Sequence, residues 1–436
     1  MSLAPDPICA PATPLLPSAV ALVRVSGWAL AKVLAPLLRL PEPRMASLRT
    51  LSWAGFRERA LVLFFPAPAS YTGEDLVEFQ VHGNPLLVHR LLGHLGTLGV
   101  RLAEPGEFTR RALLNGKQGL LEAEALRDLV AAETDTQIRL AQARAGAQPN
   151  WIPEARSILA PWMARAEAAV DYGEEEGILL NQKDLVYGLR PLRDRFHVEQ
   201  VRARASRHLR DGIRLALVGR PNAGKSTLFN ALAGEDRAIV TDLPGTTRDV
   251  LEVRCEWRGL PLRIFDTAGL RDAQEHVERL GVARVGPILE TVDLILHLRP
   301  SQDEAIDPLI REALAPFQGK VLEVRTFADL AKAPGEVAIA AHQGDLDALE
   351  VALKEHLLGG LSLDACFGAL ATERQVTLLD DLARQLDLLM GLEPGCPPEL
   401  SASLLQGAWG LLARLTGEDR AESALDALFS GFCLGK

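Results

Sequence analysis

Apolar positions change rhythm several times along the chain, and each change marks a candidate element. Short apolar or alternating runs at 19–25, 61–65 and 76–81, separated by turn-rich segments, predict strands of a mixed α/β unit. From residue 119 to 145 the spacing turns helical: Leu121, Ala125 and Leu129 lie four apart, with Leu126 and Val130 on the adjoining stripe. Residues 213–218 read as a buried strand, after which strands and helices alternate to about residue 360 as in a doubly wound sheet. Helical spacing then returns, with Leu379, Leu382, Leu386 and Leu389 on one stripe and Leu404, Ala408, Leu412 and Leu415 on another. The expected fold class is multidomain α/β plus α: an α+β N-terminal domain (1–117), an all-helical domain in two segments (118–209 and 362–436), and a doubly wound α/β domain inserted at 210–361.

A chain of 436 residues exceeds one ordinary core, which agrees with several domains. Its apolar fraction of 48% and the absence of low-complexity tracts exclude long disorder. Residues 1–10 carry no basic leader, and no apolar run approaches the roughly 18 to 20 residues needed to span a bilayer, so a soluble, cytoplasmic protein without a membrane partner is expected. Five cysteines (Cys9, Cys255, Cys366, Cys396 and Cys433) without CxxC spacing fit neither a disulfide framework nor a zinc knuckle. The net charge of -10 gives no overall electrostatic footprint for nucleic acid. Arg193, Arg195, Arg202, Arg204, Arg207 and Arg210 form a candidate local basic patch, the alternative being the solvated side of a helix.

The strongest chemical signal follows the predicted strand at 213–218. Gly219-Arg220-Pro221-Asn222-Ala223-Gly224-Lys225-Ser226 fits the phosphate-loop pattern G-x-x-x-x-G-K-[ST] in its strand-then-helix context. Glycines let backbone N–H groups converge on phosphate, the helix N-terminus adds its dipole, Lys225 reaches the β and γ phosphates, and Ser226 would ligate Mg2+. Thr227 continues the loop into the helix. Two further elements follow in order: Thr241-Asp242-Leu243-Pro244-Gly245-Thr246-Thr247, and Asp266-Thr267-Ala268-Gly269. Thr247 would close the Mg2+ shell, Asp266 would hold the metal through water, and the Gly269 N–H would meet the γ phosphate. Together these elements specify a P-loop GTPase domain binding GTP and Mg2+. The guanine-reading element is degraded: Asp329 can accept from the guanine N1–H and amine, but Thr326 and Phe327 replace the usual asparagine and lysine, the phenyl ring being able to stack instead. Ala340-Ala341-His342 stands where a Ser-Ala element is usual, and Leu270 stands where a water-orienting glutamine would follow Gly269, so hydrolysis must be organised differently.

These strings, together with the tail Phe432-Cys433-Leu434-Gly435-Lys436, resemble the MnmE (TrmE) family of tRNA-modification GTPases. The resemblance extends outside the GTPase domain, to Thr72-Gly73-Glu74-Asp75, to Pro105-Gly106-Glu107-Phe108-Thr109-Arg110-Arg111-Ala112, to Leu114-Asn115-Gly116-Lys117 and to Ala123-Glu124-Ala125, none of which generic GTPases carry. It implies a homodimer whose N-terminal domain binds folate. It also implies an FAD-dependent partner, MnmG, with which the family modifies C5 of the wobble uridine (U34) of certain tRNAs, adding aminomethyl or carboxymethylaminomethyl groups. The one-carbon unit would come from a tetrahydrofolate derivative, in its 5-formyl or 5,10-methylene form.

Residue by residue, the resemblance implies a K+ site at Asn222, Thr241, Leu243 and Thr246 that activates hydrolysis when two GTPase domains meet, and a catalytic, water-orienting Glu278. A loop-shaping role is the alternative for Asn222, and a surface helix charge the alternative for Glu278. It implies folate binding by Arg24, Glu78, Lys117 and Lys436, and leaves Cys433 between a role in chemistry and a packed thiol. One departure stands out: the family's glycine-rich stretch after Ala-Thr-Pro is replaced by Leu15-Leu16-Pro17-Ser18-Ala19, bulky where glycine permits close approach. Two rival readings are a ribosome-assembly or regulatory GTPase switch, which would lack the N-terminal strings and the tail, and a folate-binding protein whose GTPase domain is structural only.

Overall fold

The computed structural model describes residues 6–146, 148–176, 180–234, 251–266, 286–302, 306–330, 337–419, 429 and 435. The chain divides into two compact units, Met1–Ala123 with Ala413–Lys436, and Glu124–Leu412.

The first unit is built on a six-stranded sheet in the order β3-β4-β5-β2-β1-β6, comprising β1 (Ile8–Pro11), β2 (Ser18–Gly27), β3 (Ser47–Trp53), β4 (Phe56–Phe65), β5 (Asp75–Gly83) and β6 (Arg101–Leu102). All neighbours are antiparallel except β1 and β6. The two-residue period of a strand sends Ala21, Val23 and Val25 of β2 and Val77, Phe79 and Val81 of β5 to one face. There they join Val88, Leu91 and Leu95 of the helix Pro85–Thr97 in one core. That helix starts where it does because Asn84 accepts hydrogen bonds from the Leu86 and Leu87 N–H groups and Pro85 follows. The intervening residues, Arg24 on β2 and Glu78 on β5, pair in register on the opposite face.

A buried polar cluster supports that face. Glu74 is bound by Arg111 and Ser26, and Arg111 also reaches Glu107, which Arg101 grips from the other side. Burial alone would raise the Glu107 carboxyl. Hydrogen bonds from Arg101, from the Glu104 N–H and from Arg111 outweigh it and hold the group at about 2, against an ordinary 4.5.

The second unit contains the other six-stranded sheet, ordered β12-β11-β10-β7-β9-β8, from β7 (Ile213–Gly219), β8 (Leu251–Trp257), β9 (Leu260–Asp266), β10 (Leu294–Pro300), β11 (Val321–Thr326) and β12 (Val337–Ile339). Its pairs are parallel except β8 with β9. The expected strand at 213–218 is therefore the central one, buried on both faces as its apolar run requires.

Helices frame this sheet. The long helix Gln182–Asp211 runs antiparallel to Glu373–Met390, with polar links along the seam: Gln182 donates to the Leu389 carbonyl at 2.8 Å, Gln200 to Asp380 at 2.7 Å, and Arg207 to Glu373 at 3.1 Å. Helical segments before and after the α/β unit thus pack together. The unit departs at Gly212 and the chain rejoins the helix at 359–366, where Arg202 donates to the Ala365 carbonyl at 2.9 Å and Ser206 to that of Cys366 at 2.7 Å. The stripe of Leu379, Leu382, Leu386 and Leu389 is fully buried, as its spacing predicts.

Two expectations are corrected. In the helix Leu120–Ala131, Val130 is exposed and Leu121, Leu126 and Leu129 are only half-buried, whereas Glu124 and Asp128 lie inside. The reason is charge pairing: Glu124 receives Arg374 at 2.7 and 2.8 Å, Gln375 at 2.6 Å and Thr372 at 3.3 Å, and Asp128 receives Arg144 and Arg210. In the last helix, Pro398–Thr416, Leu405 rather than Leu404 takes the buried place beside Ala408, Leu412 and Leu415. The arginine run is no bare basic patch. Arg193 pairs with Asp387, Arg195 and Arg202 with Glu199, Arg204 with Asp380, Arg207 with Glu373, and Arg210 with Asp128.

Replacing Glu124 by alanine leaves the buried Gln375 amide and Thr372 hydroxyl and the half-buried Arg374 without the carboxylate they share, and should lower stability by about 1–3 kcal/mol, read as an earlier urea transition of the helical signal. Because Glu107 sits below its unfolded value, its stabilisation is complete above about pH 4.5 and is lost as pH falls through about 2. Glu107→Gln should remove on the order of 3 kcal/mol at neutral pH and flatten that acid limb, measured as unfolding midpoints against pH.

Candidate nucleotide site

β7 ends at Gly219 in the middle of its sheet, with β10 on one side and β9 on the other, which is the point where successive connections diverge and a crevice opens. A Cβ on Gly219 would stand 2.5 Å from the Leu298 carbonyl oxygen, so only glycine lets the chain turn away here against β10. The loop passes through left-handed backbone at Asn222 (φ 62°) and Gly224 (φ 86°) and enters the helix Lys225–Ala233. No side chain caps that helix, leaving its first N–H groups directed at the loop. Lys225 is buried, and its Nζ donates to the carbonyls of Gly219 at 2.9 Å and Arg220 at 2.6 Å, holding the ammonium over the loop. Ala223 is buried beneath the loop, whereas Ser226 and Thr227 are exposed on its rim.

A second segment closes on the loop from β11. Thr326 is buried, and its Oγ1 donates to the Ala223 carbonyl at 2.9 Å, tying the degraded base-reading element to the phosphate loop. The Thr326 carbonyl in turn accepts from the Ser301 N–H and hydroxyl, both at 2.8 Å. Phe327 adopts φ 59°, and its ring reaches Gly224: a Cβ there would lie 3.7 Å from the Phe327 Cζ. Asp329 follows, with its Oδ2 3.6 Å from the Nε2 of His342. The structure therefore brings Asn222, Ala223, Gly224, Lys225, Ser226 and Thr227 together with Thr326, Phe327 and Asp329 on one edge of the sheet. Asp266 ends β9, paired in register with Leu217 of β7. Thr241, Asp242, Leu243, Pro244, Gly245, Thr246, Thr247, Thr267, Ala268, Gly269 and Glu278 lie outside the described residues.

Sequence reasoning missed Ser301, which carries no motif, and the Thr326 tether, for which a hydroxyl at the asparagine position was the available signal. His342 was read only as part of Ala340-Ala341-His342, at the place of a Ser-Ala element, and its contact with Asp329 was not anticipated.

In the first unit, Arg24 donates from Nε and Nη2 to one oxygen of Glu78, at 3.1 and 2.8 Å, and from Nη1 to the Gly435 carbonyl at 3.3 Å. Its guanidinium lies 5.5 Å from the Tyr71 ring centre and 5.9 Å from that of Phe108. The Lys117 stem lies over the loop at Gly73, where a Cβ would meet Lys117 Cγ at 3.1 Å. Gly435 lies against β1, where a Cβ on it would fall 2.3 Å from the Pro11 carbonyl oxygen. Lys436 and Cys433 lie outside the described residues. Leu15 and Leu16, the departure from the glycine-rich pattern, point outward at 46% and 67% exposure. Among the described residues every cysteine is a free thiol, and burial raises Cys9 to about 12 and Cys255 to about 11, which makes them inert packing groups. No cluster of three metal-ligating side chains and no helix long and apolar enough to cross a membrane occurs among the described residues.

Residues 7–117 match the family described as GTP-binding protein TrmE N-terminus, and residues 120–433 match the MnmE helical domain. The chain is 40% identical over 444 residues to the tRNA modification GTPase MnmE of Acidiphilium cryptum (strain JF-5), covering 100% of both. It is 40% identical to that of Methylorubrum populi, covering 99% of this chain and 98% of the relative, and 38% identical to that of Thermus thermophilus, covering 99% of each. Among solved structures, the G domain of the T. maritima FeoB iron transporter aligns with 34% of this chain and 98% of its own at 23% identity and a TM-score of 0.24, a likeness too slight to weigh here.

Thr326→Val removes the tether, and Thr326→Asn restores a donor at that place. The valine variant should bind GDP about three- to tenfold more weakly by calorimetry and exchange the amides of residues 219–226 faster, with the asparagine variant close to the parent.

Proposed function

The chain belongs to the MnmE family, and from that membership we propose that it is the GTP-hydrolysing subunit of a tRNA wobble-uridine modification complex. The observation that carries this reading is identity of 38–40% spread over the full length of relatives named tRNA modification GTPases. The central strand, phosphate loop and uncapped helix supply the site at which a triphosphate would bind.

Lys225 now bridges two loop carbonyls, and an arriving phosphate would offer it a full negative charge in their stead. Ser226, exposed at the rim, and Thr247 would hold Mg2+, which offsets charge on the β and γ oxygens. Asn222 is exposed in left-handed backbone, and its neutral side-chain oxygen suits K+, with Thr241, Leu243 and Thr246 completing the set. Glu278 would orient the attacking water, since Leu270 cannot. Asp329 would read guanine.

In the first unit, Arg24 and Glu78 offer donor and acceptor side by side next to Tyr71, an arrangement suited to a flat, polar heterocycle such as the pterin of a tetrahydrofolate derivative. Lys117 and Lys436 would meet its carboxylates. A homodimer, with MnmG as partner and tRNA reached through the joint complex, completes the proposal.

The test is GTP hydrolysis by the full chain in KCl against NaCl, with ATP as competitor and Glu278→Ala as control. Turnover should be selective for GTP, higher in KCl, and lower by about 10²-fold in the variant. Equal rates in the two salts would remove the K+ assignment, and equal use of ATP would remove the GTPase reading.

A further inference from the structure

At the end of β7 opposite the phosphate loop, a cavity of about 300 Å³ opens between the helices and the sheet, at the lower end of the range for small-ligand pockets. Four guanidinium groups and two carboxylates line it. Arg144 comes from the helix Asp135–Ala145, Arg210 from the end of Gln182–Asp211, Arg214 from β7 and Arg263 from β9, against Asp128 and Asp211. In a chain of net charge -10, a lining with cations in excess is a local arrangement and not a reflection of composition.

Both carboxylates are already engaged. Asp128 receives Nη2 of Arg144 and Nη2 of Arg210, the latter at 2.8 Å. Asp211 receives Nη1 of Arg210 at 2.5 Å and lies 3.5 Å from Nε of Arg207. Donors are left over once these pairs are made. Arg144 is only 8% exposed, and its Nε reaches the Leu140 carbonyl at 3.4 Å, yet its Nη1 meets no acceptor. The Nε of Arg210 is likewise buried without one. Arg263 has no hydrogen-bond or ion-pair partner among the described residues, and its side chain runs past Gly212, where a Cβ would stand 3.0 Å from its Nε. Arg214 also feels Asp293 and contributes less. A buried donor without an acceptor costs about 1–3 kcal/mol, and more when it is charged, so three such groups around one cavity call for an acceptor that the chain itself does not supply.

We infer that this cavity is an anion site for a phosphate group, free or carried as the monoester of a small molecule, held by Nη1 of Arg144, Nε of Arg210 and the guanidinium of Arg263. The donors arrive from two helices and a strand. A tetrahedral oxyanion presents oxygens in several directions and can meet all three, whereas a carboxylate offers two oxygens in one plane and a halide matches no fork of N–H groups. Bound there, the anion would add a charged link between the helices and strands β7 and β9, which carry Gly219 and Asp266 at their other ends. Nothing in it depends on nucleotide binding.

The test is calorimetric titration of the full chain with inorganic phosphate and, separately, with glycerol 3-phosphate, at constant ionic strength in sodium chloride, for the parent, Arg263→Gln and Arg263→Lys. Arg263 holds no other group in place, so its replacement should leave the fold intact. The parent should bind, Arg263→Gln should bind about tenfold more weakly through loss of a charged hydrogen bond, and Arg263→Lys should recover part of the difference. Tighter binding of glycerol 3-phosphate identifies an esterified ligand and the reverse order a free ion; either supports the site. No binding by the parent above the chloride baseline means that water alone satisfies the arginines. Equal affinity in the parent and Arg263→Gln means that phosphate binds elsewhere, the phosphate loop included. Each of these two results overturns the inference.

Discussion

A single carboxylate holds together two parts of the chain that lie some 250 residues apart. Glu124 is fully buried and takes hydrogen bonds from Thr372, Arg374 and Gln375. A lone ion in that position would cost several kcal/mol, so the helices before and after the α/β unit are obliged to meet around it. Asp128, one turn on, repeats the arrangement with Arg144 and Arg210; burial works against its ionised form, and the two guanidinium groups more than compensate, drawing its carboxyl below the ordinary range. The α/β sheet hangs from this frame: Leu140, Ala205 and Leu209 of the helices share one apolar core with Leu215, Leu217 and Ile264 of the strands.

Sheet topology then decides where a ligand can sit. Because β9 and β10 flank β7 while the chain visits them in turn, the loop after β7 opens into a crevice rather than onto a covered face. Gly219 makes the turn possible, and Thr326 keeps the loop attached to the strand beyond. The loop is thus held by backbone sterics and by one buried hydroxyl, both of which tolerate little change.

Much of this was legible in the sequence. Strands β2, β5 and β7 follow from short apolar runs, and the Leu379 to Leu389 stripe from its spacing, since one physical term, burial, sets both pattern and structure. The phosphate loop was legible because its glycines answer to sterics alone. What escaped notice involved pairing over distance. The stripe through Leu121 and Val130 looked apolar, yet the helix turned Glu124 and Asp128 inward because cations waited there, on Arg374 and Arg210. For the arginine run the sequence left a local patch and the solvated side of a helix both open, because the partners that decide it, Asp380, Asp387 and Glu373, are far along the chain. In the candidate site, a threonine for asparagine reads as loss until the carbonyl it meets is located.

The α/β unit leaves its helix at Gly212 and returns within reach of that same helix, with Gly359 beside Val201 and the Ala365 and Cys366 carbonyls bound by Arg202 and Ser206. Departure and return from neighbouring points make the unit a pendant on the helical frame rather than a span within it. The chain path therefore puts no strain on the frame, and what fixes the unit against it is the apolar core that Leu140, Ala205 and Leu209 share with the strands. A change of residue in that shared core would be felt on both sides of it, whereas one at the far end of the unit would be felt by the unit alone.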